Sequence, residues 1–515
     1  MKPCSRAILL IIFFLFNNIS AGATNTKGLY FAKKEYTHEQ LPVYNKIKQE
    51  IPAPILEDNP EWEDLYWKCW EIAFTKLRQP APGSNLVSNY IDEAFSDNIF
   101  QWDTIFIIMF ARYVNHIFPA IQSLDNFYCR QHENGFICRE LRESDGSDFY
   151  YFFDYFGTNN VVNPPLFSWG EVESYKVTGD KSRYKMVIPV LEKYAEWLEK
   201  YRKKPGTKHG LYWNTGLGAG MDNTPRNGSG WVCMSSQMVV LYRDLADMCN
   251  EIGDTAKSEK YSKIALLIGE KINTWMWNEK DGLYYDVDDN GIQVKWKTIA
   301  CFWPMFAGIA SELQMEKLVA HITDPNSFWR LIPFPSHAAD EEGYCPDGCY
   351  WRGGVWAPTN HMVIKGLEFN GYNEIAAEAS ERYIQGIYKI YEQTGTVWEN
   401  YAPDFYHKSN KSRPNFVGFS GCGPIALLIE NVIGIKPSGA DNSITWTLRR
   451  HDRHGIKNLV FGHVKTTLIC EELSPNTEKR WMNIKSSSTY TLNVVLNGKR
   501  QTFNINKGEQ TIQIN

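Results

Sequence analysis

The sequence has no pattern for holding a metal. Its 11 histidines are scattered over 515 residues, with no HxxxH, HExxH or paired CxxC spacing that would set ligands on one face. No glycine-rich loop stands between a strand and a helix to cradle phosphate, and no nucleophile elbow is present. Chemistry on this chain is therefore expected to need neither metal nor cofactor. Charge is modest, at 22% of residues with a formal net charge of −5, so nothing electrostatic points to nucleic acid or anionic lipid as a partner. Past the N-terminus no run is long and apolar enough for a membrane helix, and no long internal repeat is visible. Of the 11 cysteines, Cys4 lies at the extreme N-terminus, and the rest are too sparse to build a disulfide scaffold. Cys345 with Cys349, and Cys129 with Cys138, are spaced for local bridges, although free thiols fit the spacing equally.

Aromatic side chains are abundant: 14% of the chain, with 18 Trp and 28 Tyr. Some must fill a core. Flat amphipathic rings also suit pyranose sugars, which are apolar on their faces and hydroxylated at the rim. The N-terminus "MKPCSRAILLIIFFLFNNISAGA" has Lys2 and Arg6, an apolar run from Ala7 to Phe16, and small residues up to Ala23. It reads as a secretory signal over 1–23, predicting export to a periplasm or the cell exterior without a membrane anchor. An extended leader follows over 24–60.

Helical patterning dominates 61–436. "GDTAKSEKYSKIALLIGEKINTWMW" spaces Tyr261, Ile264, Ala265, Ile268 and Ile272 by threes and fours behind Asp254 as N-cap. "YNEIAAEASERYIQGIYKIYEQTG" repeats this with Ile375, Ala379, Tyr383, Ile387 and Ile390, and Gly395 stops it. Segments near 182–203 and 235–252 behave likewise. Between the helices lie loops rich in Gly, Trp, Asp and Asn, which suits a barrel of helices whose loops gather at one end. Past Pro437 the pattern becomes alternating β-branched and polar residues with "LNGK" and "NKGEQ" turns, predicting a small β-sandwich over 440–515.

Two loop carboxylates stand out. Asp222 lies in "GAGMDNTPRNGSGW", where glycines and Pro225 forbid a regular helix; a local Asx-turn and a chemical role both fit it. Glu399 lies in "TVWENYAPDF", between Trp398 and Tyr401, where a solvated turn and an enclosed slot both fit. Glycosidic bonds are cleaved by such a pair, one carboxyl protonating the departing oxygen while the other activates water or attacks the anomeric carbon.

"SDNIFQWDTIF", "NPPLFSWGEVESYKVTGD", "GMDNTPR", "YWRGGVWAPTNHMVIKGL" and "WENYAPDF" followed by "GFSGCGPIALLIENVIGI" occur in this order over roughly 90–436. Together they resemble glycoside hydrolase family 63 and its relatives, the mannosylglycerate-hydrolase-like enzymes and processing α-glucosidases, with trehalases more distant. The resemblance implies a mainly α protein built as an (α/α)6 barrel, and inverting hydrolysis of an α-glycosidic bond in a short glucoside or mannoside. Carried over by motif, Asp222 is the general acid and Glu399 the general base, with a raised pKa expected for Asp222. Glu399 is expected to stay ionised beside Asn400 or Arg352. Trp102, Asp103, Trp351, Arg352, Gly353 and Trp356 then read as substrate-binding residues, with Trp398 and Tyr401 shaping the slot around the base. Asn360 reads as a loop anchor, and Glu171 and Glu173 as helix contacts. Family members often follow the base with a glycine-rich stretch, where this chain has "YHKSNKSRPNF". There Lys408, Lys411 and Arg413 form a cluster that either faces a charged leaving group or is solvated. A non-catalytic sugar-binding barrel, and a lyase or phosphorylase on the same scaffold, are the competing readings.

Overall fold

The computed structural model describes residues 27–32, 35–93, 95–149, 161–473 and 480–514, so the signal expected over 1–23 lies outside the described residues. The main helices are α1 (Pro60–Phe74), α2 (Gln101–Ala111), α3 (Phe167–Thr178), α4 (Tyr184–Tyr201), α5 (Val232–Glu251), α6 (Thr255–Trp275), α7 (Glu312–Ile322), α8 (Ala357–Phe369), α9 (Asn373–Thr394) and α10 (Gly423–Ile433). Shorter turns and ladders of two or three residues connect them.

The helices are of two kinds, and composition explains the difference. Every residue of α2 and of α10 is buried, as expected of helices apolar on all sides. By contrast, α6 buries only a stripe that includes Tyr261, Ala265, Ile268 and Ile272, with the Asp254 carboxylate accepting from the Lys257 amide at 3.1 Å. Likewise α9 buries Ala379, Tyr383, Ile387 and Ile390, and Gly395 closes it at φ 69°. The start of α7 is set by Ser311 and Gln314, which cap each other's backbone amides.

The leader is not extended throughout. Residues Tyr44–Glu50 are helical, and Ala53–Leu56 forms strand β1. The C-terminal strands are β2 (Ile435–Ser438), β3 (Ser443–Leu448), β4 (His454–Phe461), β5 (Val464–Cys470), β6 (Arg480–Ser486), β7 (Tyr490–Leu496), β8 (Lys499–Ile505) and β9 (Gly508–Ile514). They make a five-stranded sheet, β1-β4-β5-β6-β9, and a four-stranded one, β2-β3-β7-β8. All neighbours are antiparallel except β3 and β7. The sheets meet face to face through Trp446 against His454 and Phe461 against Tyr490. Backbone bonds from Gly439 to Lys176 (2.6 Å) and from Gly462 to Val177 (2.9 Å) fix this β-rich region to the end of α3. The site is thereby left to the opposite ends of the inner helices.

Candidate active site

Two short ladders frame the site. Asn98–Phe100 pairs with Glu140–Arg142 just before α2, and Val355–Trp356 pairs with Asn400–Tyr401 just before α8. The first ladder delivers Trp102 and Asp103, in the opening turn of α2, beside Arg139 and Glu140. The second sets Glu399 next to Trp356. Between them lies a cavity of 240 Å³ whose walls include Trp102, Asp103, Arg139, Asp222, Tyr350, Trp351, Trp356, Glu399 and Arg413.

Asp222 arrives on the 214–224 loop. Gly220, at φ +70°, lies flat on the Trp102 indole, where a Cβ would come within 3.2 Å of the ring. Asn223 ties this loop to the next wall: its side chain donates to the Cys349 carbonyl (3.1 Å) and accepts from the Trp351 amide (2.8 Å). Cys349 is bonded to Cys345, closing the turn that precedes Trp351. The second bridge considered from the sequence is not made, because Cys138 and Cys129 are buried thiols and Cys129 donates to the Asn126 carbonyl at 3.2 Å. Trp351 and Trp356 stack with centroids 4.2 Å apart and planes 2° from parallel, a flat apolar slab beside the carboxyls.

Glu399 is 4% exposed. Arg413 holds it twice, Nη1 donating to Oε1 at 2.7 Å and the backbone amide to Oε2 at 3.3 Å. Burial nevertheless wins: it pushes the Glu399 pKa up to about 7, with Arg413 pulling down and the charge of Asp222 adding to the rise. Burial also raises Asp222, opposed by Arg139 and by the Tyr350 hydroxyl beside it. Asp103 is driven well above the usual carboxylate range by burial and by Asp92. Glu140 is raised by burial against the pull of Arg139. The cavity is thus a place where carboxyl groups hold protons at unusually high pH.

Several expected residues sit elsewhere. Arg352 is not on the cavity wall; its Nε donates to the Asn223 carbonyl at 3.0 Å, so it braces the Asp222 loop from outside. Gly353 is also off the wall, its amide donating to Ser336 Oγ at 3.3 Å. Trp398 and Tyr401 flank Glu399 in sequence but are not on the cavity wall, and the Trp398 amide donates to the Tyr401 hydroxyl at 3.2 Å. The cation on Glu399 is Arg413, not Arg352, and the Asn400 side chain donates to the Lys411 carbonyl at 3.1 Å. Of the neighbouring lysines, Lys408 lies over the Trp398 ring, 4.9 Å from its centroid, and neither it nor Lys411 reaches the wall. Asn360 anchors Phe334, accepting from its amide at 2.9 Å and donating to its carbonyl at 3.2 Å. Glu171 pairs with Arg183 at 2.8 Å, and Glu173 with Arg112 and Lys176.

Sequence reasoning missed Arg139, Glu140, Asn163 and Tyr350 as wall residues. Arg139 and Glu140 stand at the edge of a ladder only three residues long, too short to leave a pattern. Tyr350 does carry a signal, since it directly precedes the quoted Trp351 in "YWRGGVW".

A cleft holding buried, proton-retaining carboxyls beside stacked tryptophans belongs to an enzyme that works on sugars, and the chain is a glycoside hydrolase. Residues 229–405 match the mannosylglycerate hydrolase MGH1-like glycoside hydrolase domain, and the chain belongs to that glycoside hydrolase family 63-like family. It is 31% identical over 464 residues to an uncharacterized protein of Borreliella burgdorferi, covering 86% of this chain and 94% of that one. It is 22% identical over 217 residues to a mannosyl-oligosaccharide glucosidase of Saccharomyces cerevisiae, over 38% of this chain but only 25% of the yeast protein. In fold it resembles the GH63 mannosylglycerate hydrolase of Thermus thermophilus, with TM-score 0.55 and 18% identity over 70% of this chain and 99% of that one.

Proposed function

We infer that the protein is an exported, inverting α-glycosidase that hydrolyses a short α-glucoside or α-mannoside, with Asp222 as general acid and Glu399 as general base. In this reading the inner and outer helices close into an (α/α)6 barrel, and the two C-terminal sheets form an appended β-sandwich. The observation that carries the reading is that Asp222 and Glu399, on loops far apart in the chain, face one cavity with the Trp351–Trp356 slab as its floor.

The bound sugar lies on the slab, with Trp102 and Asp103 meeting the glycone. Asp222, whose hold on a proton burial strengthens, gives its proton to the glycosidic oxygen as the bond to the anomeric carbon breaks. Glu399, once ionised, takes a proton from a water on the opposite face, and that water's oxygen bonds to the anomeric carbon with inversion. Room for this water requires the two carboxyls to stand roughly 6.5–9.5 Å apart. Arg413 favours the ionised base, and Arg139 stabilises the charge left on Asp222. The relatives' names (mannosylglycerate hydrolase and mannosyl-oligosaccharide glucosidase) support an α-linked hexose as substrate.

The test is to incubate the purified protein with mannosylglycerate, glucosylglycerate, trehalose and other α-linked disaccharides, following the first-released anomer by NMR. The β-anomer is expected. An α-anomer would overturn inversion, and an unsaturated product would overturn hydrolysis.

A further inference from the structure

The helices that build the catalytic cavity enclose another at their far ends. α2 opens with Trp102 and Asp103 and runs into Arg112 and Tyr113; α8 starts beside Trp356 and ends at Phe369. Those far ends surround a space of 430 Å³, against 240 Å³ for the catalytic cavity. It falls in the size range of ordinary small-molecule sites, about 300–1,000 Å³.

One wall is aromatic. Trp169 and Phe306 meet edge to face at 5.3 Å, both buried, and Phe369 stands at the mouth, 63% exposed. The opposite wall is ionic, and its buried carboxylates already have cations. Glu430 takes Arg112 and Lys365 at 2.7 Å each, Glu173 takes Arg112 and Lys176, and Glu368 takes Lys365 at 2.7 Å and Lys436. His361 completes the wall, 1% exposed, its pKa lowered to about 3 by burial and by Lys365. Its Nδ1 has no hydrogen-bond partner among the described residues, a vacancy that buried polar groups seldom keep.

We propose that this cavity is a second saccharide-binding site, taking a neutral mono- or disaccharide. A charged ligand would have to break a buried pair and strand its partner. Hydroxyl groups need not: paired carboxylates keep lone pairs to accept, ammonium groups keep protons to donate, and each sugar hydroxyl does both. Trp169 and Phe306, set edge to face rather than in a parallel slab, offer apolar ring surface to the C–H face of a pyranose. The proposal does not depend on Asp222 and Glu399 being the acid and base.

The test is isothermal titration of the full chain, carrying Glu399→Gln to prevent turnover, with D-glucose, D-mannose and trehalose, paired with crystals soaked in the same sugars. The expected result is sugar density against Trp169 and Phe306, with a solution component weakened at least tenfold by Val172→Trp, whose indole fills the space, and by Phe369→Ala. Because Phe369 is exposed, its replacement keeps the test open should Val172→Trp fail to fold. Sugar in the catalytic cavity alone, indifferent to both substitutions, overturns the second site and leaves the glycosidase reading standing. Density in the second cavity without a matching titration component is binding at crystal concentration only and also overturns it. So does binding there of D-glycerate or phosphate, titrated and soaked in parallel, in place of the sugars. Sugar in the second cavity but none in the catalytic one supports this proposal and counts against the glycosidase site.

Discussion

The two ends of α2 and α8 treat most of their buried carboxyl groups in opposite ways, Asp244 excepted, which burial lifts to about 6 at the far end despite Arg243. At the catalytic end, Asp103, Asp222 and Glu399 are all raised, Glu399 to about 7. At the far end burial pushes in the same direction, yet Lys176 and Arg112 hold Glu173 down at about 2, and Lys365 and Arg112 hold Glu430 well below the carboxylate range. Burial is therefore common to both ends, and the difference lies in the cations. Glu430 has two, with the Tyr113 hydroxyl donating at 2.6 Å besides, whereas among the described residues Glu399 has only Arg413, whose side chain is 49% exposed. The Glu173–Glu430 cluster is locked in its charged form, whereas the carboxyls of the catalytic cavity are poised to exchange protons.

The sharpest break between the ends is in activity. Asp222→Asn and Glu399→Gln should each lower kcat/KM at least about 10³-fold on a substrate with a poor leaving group, while sugar binding persists. An activated aryl α-glycoside should recover much of the loss for Asp222→Asn and none for Glu399→Gln. Near-native turnover by either variant on the poor leaving group would remove that residue from its role.

Stability should then separate the ends with opposite signs. Glu430→Gln leaves Arg112 and Lys365 buried beside a neutral amide and should cost about 3–5 kcal/mol in thermal or denaturant unfolding. Glu399→Gln should do the reverse. Its carboxyl holds a proton up to about pH 7 when folded, against an ordinary value of 4.5. Between those values the folded state binds more protons than the unfolded one, so the wild type loses stability as pH rises through that window. The amide has no such loss, and at pH 8 the variant should be more stable by about 2–3 kcal/mol, a gain that closes below pH ~4.5. Destabilisation by Glu399→Gln at pH 8 would show that Arg413 outweighs burial and that the contrast between the ends is false.

Much of the helical body was legible because its signals are local. Asp254 caps α6, Gly395 closes α9, and most of their apolar stripes are buried, Ile264 and Ile375 only in part. The cavity was legible in part: Trp102, Asp103, Asp222, Trp351, Trp356 and Glu399 stand in quoted motifs and meet on its wall. What failed was choosing among neighbours. Trp398 and Tyr401 adjoin Glu399 in the chain, but in the fold the Tyr401 hydroxyl accepts from the Trp398 amide and neither ring is on the cavity wall. Arg352 and Arg413 are equally visible guanidiniums, and only the tertiary crossing of the 399–413 segment makes Arg413 the partner. The helical turn at 44–50 and the pairing of β1 with β4, hundreds of residues away, also rest on contacts no local pattern encodes.

That choice between arginines supplies the finest test. Ionisation of Glu399 should appear as the acidic limb of the kcat/KM–pH profile, rising with pH through about 7. Arg413→Gln removes the main influence lowering that pKa and should move the limb upward by about one unit, with smaller loss at pH 9 than at pH 6. Arg352→Ala, acting only through Asn223, should leave the limb in place and lower kcat/KM by no more than a fewfold, through looser placement of Asp222. The pair separates a charge effect from a packing effect at two positions of the same residue type. If Arg352→Ala moved the limb and Arg413→Gln did not, the cation tuning the base would be the one the motif suggested, and the cavity wall drawn here would be wrong at that corner.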